Sequence, residues 1–500
     1  MFKKTKIAAA TVALLSIAAV QNASAVAVDE SGNHAQVLIF PYYNTNNGFI
    51  SAYNIRNTSD DYKAVKVRFR ESKLSNDVLD FNVYMSPKDH FSISVGVNAE
   101  GKAFLNTADK TCTYPAIPAA GVAFKGDVYT ATKDVDAREG YLEVIEMGVV
   151  DKNATVGVAP NAKKITEDGI LHVAGVPKDC SLVAKAWNDG VFTEGGANAV
   201  VNGVNHEPVV PGAILRPTGG LQGWSFLLDY DKGNANVAMP AAIRNYQTAH
   251  GQHYLSSNPD TFLLPSLASG NRAESTVMDN GGTSSITTTW LPAPDFVLTT
   301  LGQAEVALAN GGAGPKASGV NPFPIAHVLA ATGLTNDYLV TTTGDSAGTD
   351  WVITFPMRKH GINAIAGGTS IPMGSGTVFY GREEEAVSVS TDGFSPVSST
   401  PATTLTREVN ILSFAKTGNT TPTNVLRSEY VKPYGVDYAS GWGTIVYGGT
   451  PASDGAHSIG GVPTIGFAAI RGNYKAGAEN VIGESIPHTF LRNRTPAGGV

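Results

Sequence analysis

The segment 344–348, Gly-Asp-Ser-Ala-Gly, matches the Gly-x-Ser-x-Gly motif of serine hydrolases. In those enzymes a strained turn from a strand into a helix exposes the serine hydroxyl beside backbone amides that hold an oxyanion. Here residues 339–343 and 349–355 both have a strand pattern, and a Gly/Asp/Ser turn is typical of a hairpin. The sequence therefore favours a hairpin turn, and a hydrolase that uses Ser346 is the weaker alternative.

Two short patterns resemble metal ligands. His250 and His253 are spaced to share a helix face, but they lack the glutamate of a zinc-protease motif and enclose a glycine, which favours a polar loop. Asp229 and Asp231 precede Gly233 as in a calcium loop, but the distal bidentate glutamate is missing at the expected spacing. A solvated hairpin tip is the favoured interpretation, and calcium binding by Asp229 and Asp231 stays open. We assign no catalytic residue, metal ligand or cofactor.

Two further patterns indicate surfaces. Lys66, Arg68 and Arg70 alternate with apolar residues, so the three cations share one face of a strand. That face is predicted to meet solvent, and an acidic polysaccharide or a lipid head group is the alternative partner. Tyr42, Tyr43 and the five tryptophans can form a sugar-stacking platform, although aromatic residues of β-proteins more often lie in the core.

The N-terminus has the three parts of a secretory signal peptide. Lys3, Lys4 and Lys6 precede an apolar run over 7–20, and Ala-Ser-Ala at 23–25 is a peptidase site. The apolar run of about 14 residues is shorter than the roughly 20 of a spanning helix, so residues 1–25 are predicted to be cleaved. No later run is long enough to span a bilayer. Removal of the three lysines lowers the formal charge from -7 to about -10, which argues against a nucleic-acid partner.

Cys112 and Cys180 are the two cysteines of the chain. Export removes the reducing glutathione pool, so the simplest expectation is one disulfide that closes a loop of about 68 residues. Two buried, unpaired thiols are the alternative. Two cysteines alone cannot form a structural zinc site, because such sites need four ligands.

Period-2 alternation dominates the rest of the chain and predicts an all-β fold of antiparallel, sandwich-like domains with long loops and few short helices. Strands at 49–56 and 65–70 are predicted to form a hairpin, as are strands at 224–230 and 235–239. Residues 240–250 and 325–331 fit short helices. Because single cores seldom exceed 250–300 residues, we predict two domains, at 26–245 with the disulfide and at 246–500.

Four phrases occur together: Phe-Pro-Tyr-Tyr-Asn at 40–44, Lys-Ala-Val-Lys-Val-Arg-Phe-Arg-Glu at 63–71, Gly-Tyr-Leu-Glu-Val-Ile-Glu-Met at 140–147 and Gly-Thr-Asp-Trp-Val-Ile-Thr-Phe-Pro at 348–356. Together they resemble a group of uncharacterised exported proteins of Gram-negative bacteria, some labelled only as cell-surface proteins. The resemblance implies a surface or extracellular address and carries no catalytic or binding residue.

The sequence as a whole predicts a non-enzymatic, exported structural or adhesive protein of the cell surface or extracellular space, with the periplasm as another location. A secreted module that binds carbohydrate or another envelope component is the first alternative. The partners expected are other copies of the chain or an envelope polysaccharide.

Overall fold

The computed structural model describes residues 27–29, 32–126, 133–189, 191–192, 200–201, 204–205, 213–231, 233–246, 265, 267, 275–278, 285–288, 324–340, 347–358, 370–383, 404–418, 422–448, 461–473 and 481–492. The predicted signal peptide, the pair His250 and His253, and Ser346 lie outside these residues.

The described part of the chain is built mainly from strands, which confirms the all-β prediction. Those of the N-terminal part are β1 (Ala27–Val28), β2 (Ala35–Asn44), β3 (Phe49–Asn57), β4 (Lys63–Glu71), β5 (Asp77–Met85), β6 (His90–Val97), β7 (Ala103–Asn106), β8 (Cys112–Tyr114), β9 (Val122–Ala123), β10 (Glu139–Val150), β11 (Thr155–Val156), β12 (Lys163–Lys164), β13 (His172–Val173), β14 (Val176–Pro177), β15 (Val200–Val201), β16 (Val204–Asn205), β17 (Ile214–Leu215), β18 (Leu221–Asp229), β19 (Asn234–Ala238) and β20 (Ala241–Arg244).

Those of the C-terminal part are β21 (Ser275–Met278), β22 (Ser285–Thr288), β23 (Ala330–Ala331), β24 (Gly333–Leu339), β25 (Gly348–Thr354), β26 (Ile371–Pro372), β27 (Val378–Gly381), β28 (Thr404–Leu405), β29 (Val409–Lys416), β30 (Val431–Val436), β31 (Ser440–Val446), β32 (Val462–Pro463), β33 (Ile465–Asn473), β34 (Val481–Pro487) and β35 (Thr489–Leu491). The helical elements are α1 (Ser181–Asn188), α2 (Pro324–Leu329), the 3-10 turns Asn46–Gly48 and Asp136–Arg138, and the π turn Ile165–Ile170. No described helix is both long enough and apolar enough to cross a membrane.

One antiparallel sheet dominates the N-terminal part, and its main path is β8-β5-β4-β10-β2-β18-β3-β6-β7-β9. The sheet curls over itself. Phe69 of β4 and Tyr53 of β3 have ring centroids 5.9 Å apart, although three strands separate β4 from β3 along the sheet. Phe81 of β5 and Phe91 of β6 also meet across the interior, at 6.2 Å. The enclosed apolar side chains form a core between the two halves of the sheet, as in a sandwich.

The hairpin predicted for 49–56 and 65–70 is wrong in its pairing, although both segments are strands. β3 pairs with β18 and β6, whereas β4 pairs with β10 and β5. Asn57 holds the polar turn between them by donating hydrogen bonds to the carbonyls of Asp61 and Ser86, at 2.7 and 2.8 Å. Alternation fixes which face of each strand is apolar, and β3 and β4 direct their apolar faces into one interior from opposite halves of the sheet.

Three other local predictions have different outcomes. The hairpin of β18 and β19 is confirmed, with the register Ser225 to Ala238 through Asp229 to Asn234. The helix predicted at 240–250 is wrong at its start, because 241–244 forms strand β20 and pairs with β2 and β1. Tertiary pairing overrides a weak helical pattern here. The helix predicted at 325–331 is confirmed over 325–329 as part of α2, whereas 330–331 forms strand β23.

The predicted disulfide is confirmed. Cys112 of β8 and Cys180, which directly precedes α1, are bonded with their Cα atoms 5.2 Å apart. Next to the bond, Trp187 of α1 donates a hydrogen bond from Nε1 to the hydroxyl of Tyr84, and its ring stacks on Tyr114 at 4.8 Å. The bond and these aromatic contacts attach α1 to the edge of the sheet.

The C-terminal part is a sandwich of two sheets. One sheet has the order β30-β29-β25-β33-β34, with β30 parallel to β29 and the other pairs antiparallel, and the second has the order β27-β31-β24-β35. Trp351 of β25 lies between them, with its ring 5.6 Å from Phe379 of β27. β24 and β25 thus belong to facing sheets, so the hairpin pairing predicted around 344–348 is wrong. The strand predicted at 349–355 is confirmed as β25, which covers Gly348–Thr354.

The two parts share a core. Strands β2 and β10 are buried along their whole length, because one face of each lies inside the curled sheet and the other packs on the five-stranded sheet of the C-terminal part. Val37, Ile39 and Ile145 lie in one apolar cluster with Val352 and Phe467. The domain boundary predicted near residue 245 therefore separates two parts that pack against each other through a shared apolar cluster.

Candidate functional site

Most of the aromatic residues proposed as a sugar platform lie in the core. Tyr42 and Tyr43 are fully buried, and Trp187 and Trp351 are at most 4% exposed. Trp224 is half-buried beneath the guanidinium of Arg56, which lies 3.9 Å from its ring centroid. The favoured interpretation of Tyr42 and Tyr43 as core residues is confirmed, because β2, which carries both, is covered on both faces. Trp290 lies outside the described residues.

Trp442 is the exception, with 45% of its surface exposed. It lies on β31, directly opposite Tyr380 of β27 in the antiparallel register. The two rings are stacked, with centroids 4.6 Å apart and planes 23° apart. Stacking of this kind restricts both side chains and presents a broad, flat aromatic surface to solvent.

Polar side chains flank this aromatic pair. Asp337 of β24 lies opposite Trp442 on its other side and is exposed. Thr444, which shares the face of Trp442 by alternation, lies opposite Thr335 of β24. We call the outer surface formed by Trp442, Tyr380, Asp337, Thr444 and Thr335 the aromatic face. It combines apolar rings, one carboxylate and two hydroxyls on the outer side of one sheet.

The opposite side of the same sheet explains why the aromatic face is rigid. Phe379, Ile445 and Leu334 alternate with the outer residues and point into the sandwich core. Gly443 lies between Trp442 and Thr444, and a Cβ there would come 2.1 Å from the ring of Phe379. Glycine at this position lets the ring of Phe379 pass beneath β31, so the strand that carries Trp442 stays flat against the core.

The cation ladder is not a surface. Lys66, Arg68 and Arg70 are at most 1% exposed, so the prediction that they face solvent is wrong. Glu143 of β10 lies opposite Arg68, and its carboxylate forms ion pairs with Arg70 and, at 3.5 Å, with Arg68. On the other side, β5 supplies two further carboxylates: Asp80 pairs with Lys66 at 2.6 Å and Asp77 pairs with Arg68 at 2.8 Å.

Burial of this network has a clear electrostatic consequence. Desolvation lowers the pKa of Lys66, and Asp80 opposes that effect. Removing one partner from a buried ion pair is far more costly than breaking a surface pair, because the other charge stays desolvated. The ladder therefore contributes to the architecture of the junction and not to a ligand surface.

The two carboxylates proposed as a calcium loop form ion pairs with an arginine of the same chain. Asp229 is buried, contrary to the prediction of a solvated tip. Arg427 Nη1 lies 3.2 Å from Asp229 Oδ1 and 3.1 Å from Asp231 Oδ2, so it bridges the two carboxylates. A calcium ion between Asp229 and Asp231 would have to displace this guanidinium. Among the described residues, no cluster of three or more His, Cys, Asp or Glu side chains is arranged to hold a metal ion.

Arg427 belongs to the loop 422–430, which contacts both the N-terminal and the C-terminal part of the chain. The carboxylate of Glu139 accepts hydrogen bonds from Ser428 Oγ and the backbone N–H of Glu429, both at 2.7 Å. It also accepts hydrogen bonds from Tyr42 and Asn46 of the N-terminal part, at 2.9 and 2.6 Å. Burial raises the pKa of Glu139, and the hydrogen bonds from Ser428, Glu429 and Tyr42, together with the positive charge of Arg407, counter that effect.

Asp350 holds the same loop from the C-terminal side. Its carboxylate accepts hydrogen bonds from Ser413 Oγ and, at 2.7 Å, from the backbone N–H of Leu426. Burial raises the pKa of Asp350 to about 7, although both hydrogen bonds oppose the shift. A folded-state pKa above the unfolded value favours the protonated carboxyl, so its stabilising contribution is present below about pH 4 and is lost as the pH rises toward 7.

The Asp350→Asn variant is expected to lack this pH dependence. Relative to wild type, its free energy of unfolding should rise by about 2 to 4 kcal/mol between pH 4 and pH 8, because the amide has no charge to desolvate. Urea unfolding at intervals of one pH unit measures this difference. Asp337→Asn, which changes an exposed carboxylate, is the matched control and should follow wild type. A constant difference between Asp350→Asn and wild type at all pH values would contradict the assignment.

Comparison with known proteins finds no family model, no curated protein and no solved structure that matches this chain. The aromatic face unites Trp442 with Tyr380 and Asp337, which sequence reasoning did not bring together. The signal present in the sequence is the run Gly-Trp-Gly at 441–443, in which alternation places a tryptophan on the face opposite two glycines.

Proposed function

We propose that this chain is a non-enzymatic exported protein of the cell surface or extracellular space that adheres to polysaccharide through the aromatic face. The observation that carries the proposal is the exposed stack of Trp442 on Tyr380, with Asp337 beside it. The negative faces of aromatic rings attract the C–H groups of a sugar ring, and a carboxylate accepts hydrogen bonds from sugar hydroxyls. A flat face suits an extended chain better than a small, enclosed ligand.

Two further features support an extracellular address. The disulfide between Cys112 and Cys180 is typical of proteins in oxidising compartments. The signal-peptide pattern at 1–25 supplies the export route. The proposal unites the adhesive and the carbohydrate-binding interpretations of the sequence, because attachment to a polysaccharide is one way for a surface protein to adhere.

The Trp442→Ala variant tests the proposal. Its affinity for polysaccharide is expected to fall at least tenfold, since the variant removes the stacking surface and leaves the strand in place. Binding is measured by pull-down and affinity electrophoresis with cellulose, chitin and polysaccharide prepared from the surface of the producing cells. Trp224→Ala is the matched control, because that tryptophan lies beneath Arg56 in the other part of the chain. Equal retention of wild type and Trp442→Ala on every matrix, or no retention of wild type, would contradict the proposal.

A further inference from the structure

A cleft that is separate from the aromatic face lies in the N-terminal part. It has a volume of about 430 Å³ and is lined by residues of the turn 45–50, of β6 and β7, and by Arg138. The side chains that matter for recognition are Asn46, Asn47, Ser94, Phe104, Asn106 and Arg138. We call this site the amide cleft. Amides, a hydroxyl and a half-buried aromatic ring thus surround one cavity of the size of a small ligand.

Asn46 provides the clearest sign of a ligand. Its side chain is 1% exposed, and Oδ1 has no hydrogen-bond partner among the described residues. The amide orientation is fixed, because Nδ2 donates to the Glu139 carboxylate at 2.6 Å. Oδ1 is therefore the amide atom left to contact a ligand, and the carboxylate behind Nδ2 polarises the amide and strengthens Oδ1 as an acceptor. A ligand that donates an O–H or N–H group would satisfy it.

Arg138 determines the charge of the ligand. It is the charged side chain among the described residues that line the cleft. Nε donates to the carbonyl of Gly101 at 2.7 Å, which orients the guanidinium, and no described carboxylate forms an ion pair with it. A guanidinium held in this way is suited to bind a carboxylate through two parallel hydrogen bonds.

The group of the ligand that donates to Asn46 Oδ1 is a hydroxyl rather than an ammonium. A carboxylate in the cleft wall would best match an ammonium, but the described lining residues include no acid, and Glu139, the buried acid behind Asn46, already accepts four hydrogen bonds. Hydroxyls instead match Asn46 Oδ1, the Asn106 amide and Ser94 Oγ. The ring of Phe104 offers an apolar surface to the C–H groups of a sugar ring.

We propose that the amide cleft binds a sugar unit that carries a carboxylate, that is, a uronic acid, with its carboxylate on Arg138 and a hydroxyl on Asn46. This site is independent of the aromatic face, since the two lie in different parts of the chain. The two sites also differ in charge. The cleft presents a guanidinium, which attracts an acidic sugar unit, whereas the aromatic face presents the carboxylate of Asp337, which repels one.

The Gly96→Leu variant tests the cleft directly. Gly96 lines the cleft, and a Cβ there would meet only Ile50 Cγ1, at an ordinary contact distance of 3.7 Å. The leucine should therefore fill the cleft without disturbing the backbone. Isothermal titration calorimetry on the full chain would use trimers of galacturonic, glucuronic and mannuronic acid, with the neutral trimer maltotriose for comparison. Ser92→Leu, on the same face of β6 but outside the cleft lining, is the matched control.

We expect at least one uronic acid trimer to bind, with an affinity that falls as salt is added and is at least tenfold greater than that of maltotriose. All variants are compared in the Trp442→Ala background, which removes the stacking surface of the aromatic face; there Gly96→Leu and Arg138→Met should each reduce this affinity at least tenfold, whereas Ser92→Leu should retain it. No binding of any uronic acid trimer, equal binding of maltotriose, or full affinity in Gly96→Leu would overturn the inference. Because Trp442→Ala is included, failure of this site is distinguishable from failure of the aromatic face.

Discussion

Replacement of Glu143 by alanine should lower the free energy of unfolding by about 3–5 kcal/mol, a loss far larger than that of an ordinary charge substitution. Glu143 is fully buried and pairs with both Arg68 and Arg70. Without it the two guanidinium groups stay desolvated in a junction whose neighbouring side chains, Tyr141 and Ile145, belong to the shared apolar core. Urea unfolding at constant pH and salt measures the change.

Two comparisons isolate the cause of this loss. Asp60→Ala breaks an exposed pair with Lys88, in which both side chains are at least 60% exposed, and should change stability by less than about 1 kcal/mol. The double variant Glu143→Leu with Arg70→Met removes both charges of one pair and should recover part of the loss, because apolar residues of similar volume can replace a buried ion pair. Equal stability of Glu143→Ala and Asp60→Ala would contradict the buried network.

Removal of the disulfide is the second large effect that we expect. Replacing both Cys112 and Cys180 by alanine should lower the free energy of unfolding by about 4 kcal/mol, since the bond restricts the unfolded chain over a loop of 68 residues. It should also loosen α1, which follows Cys180 directly. Urea unfolding measures the first effect, and amide hydrogen exchange of 181–189 measures the second.

Local contacts limit how far that loosening spreads. Trp187 remains hydrogen-bonded to Tyr84 and stacked on Tyr114, so the sheet itself should keep its exchange protection. Wild type treated with a reductant under native conditions should show the same pattern as the double variant. Unchanged stability together with unchanged exchange in 181–189 would exclude a structural role for the bond.

Sequence reasoning located strands well but their partners poorly. Alternation identified β4, β18 and β25, because side chains of a strand point to opposite faces at every second residue. The hairpin of β18 and β19 was predictable, since a short polar turn joins the two strands directly. The pairing of β3 with β18 was not, because those strands are distant in sequence and nothing local specifies which edge supplies the hydrogen bonds.

The same limit explains the errors at the sites. Lys66, Arg68 and Arg70 look solvent-exposed in isolation, and their burial depends on Glu143, which lies 75 residues from Arg68 along the chain. Trp442 is recognisable as an outward-facing residue of a strand, but its stacking partner Tyr380 is on another strand that sequence alone does not pair with β31. Asn46 looks like a turn residue, and the unpaired acceptor emerges only once Glu139 fixes its amide.

If the chain adheres through Trp442 as proposed, the double-sided burial of β2 and β10 determines how a pulling force is distributed in the molecule. These two strands belong to both cores, so packed side chains connect the part that carries the aromatic face with the curled sheet. A pull applied to a bound chain at Trp442 would pass into the rest of the molecule through interlocked side chains. Unfolding under force would then require both cores to be disrupted together, so the two parts of the chain would resist the force as one unit.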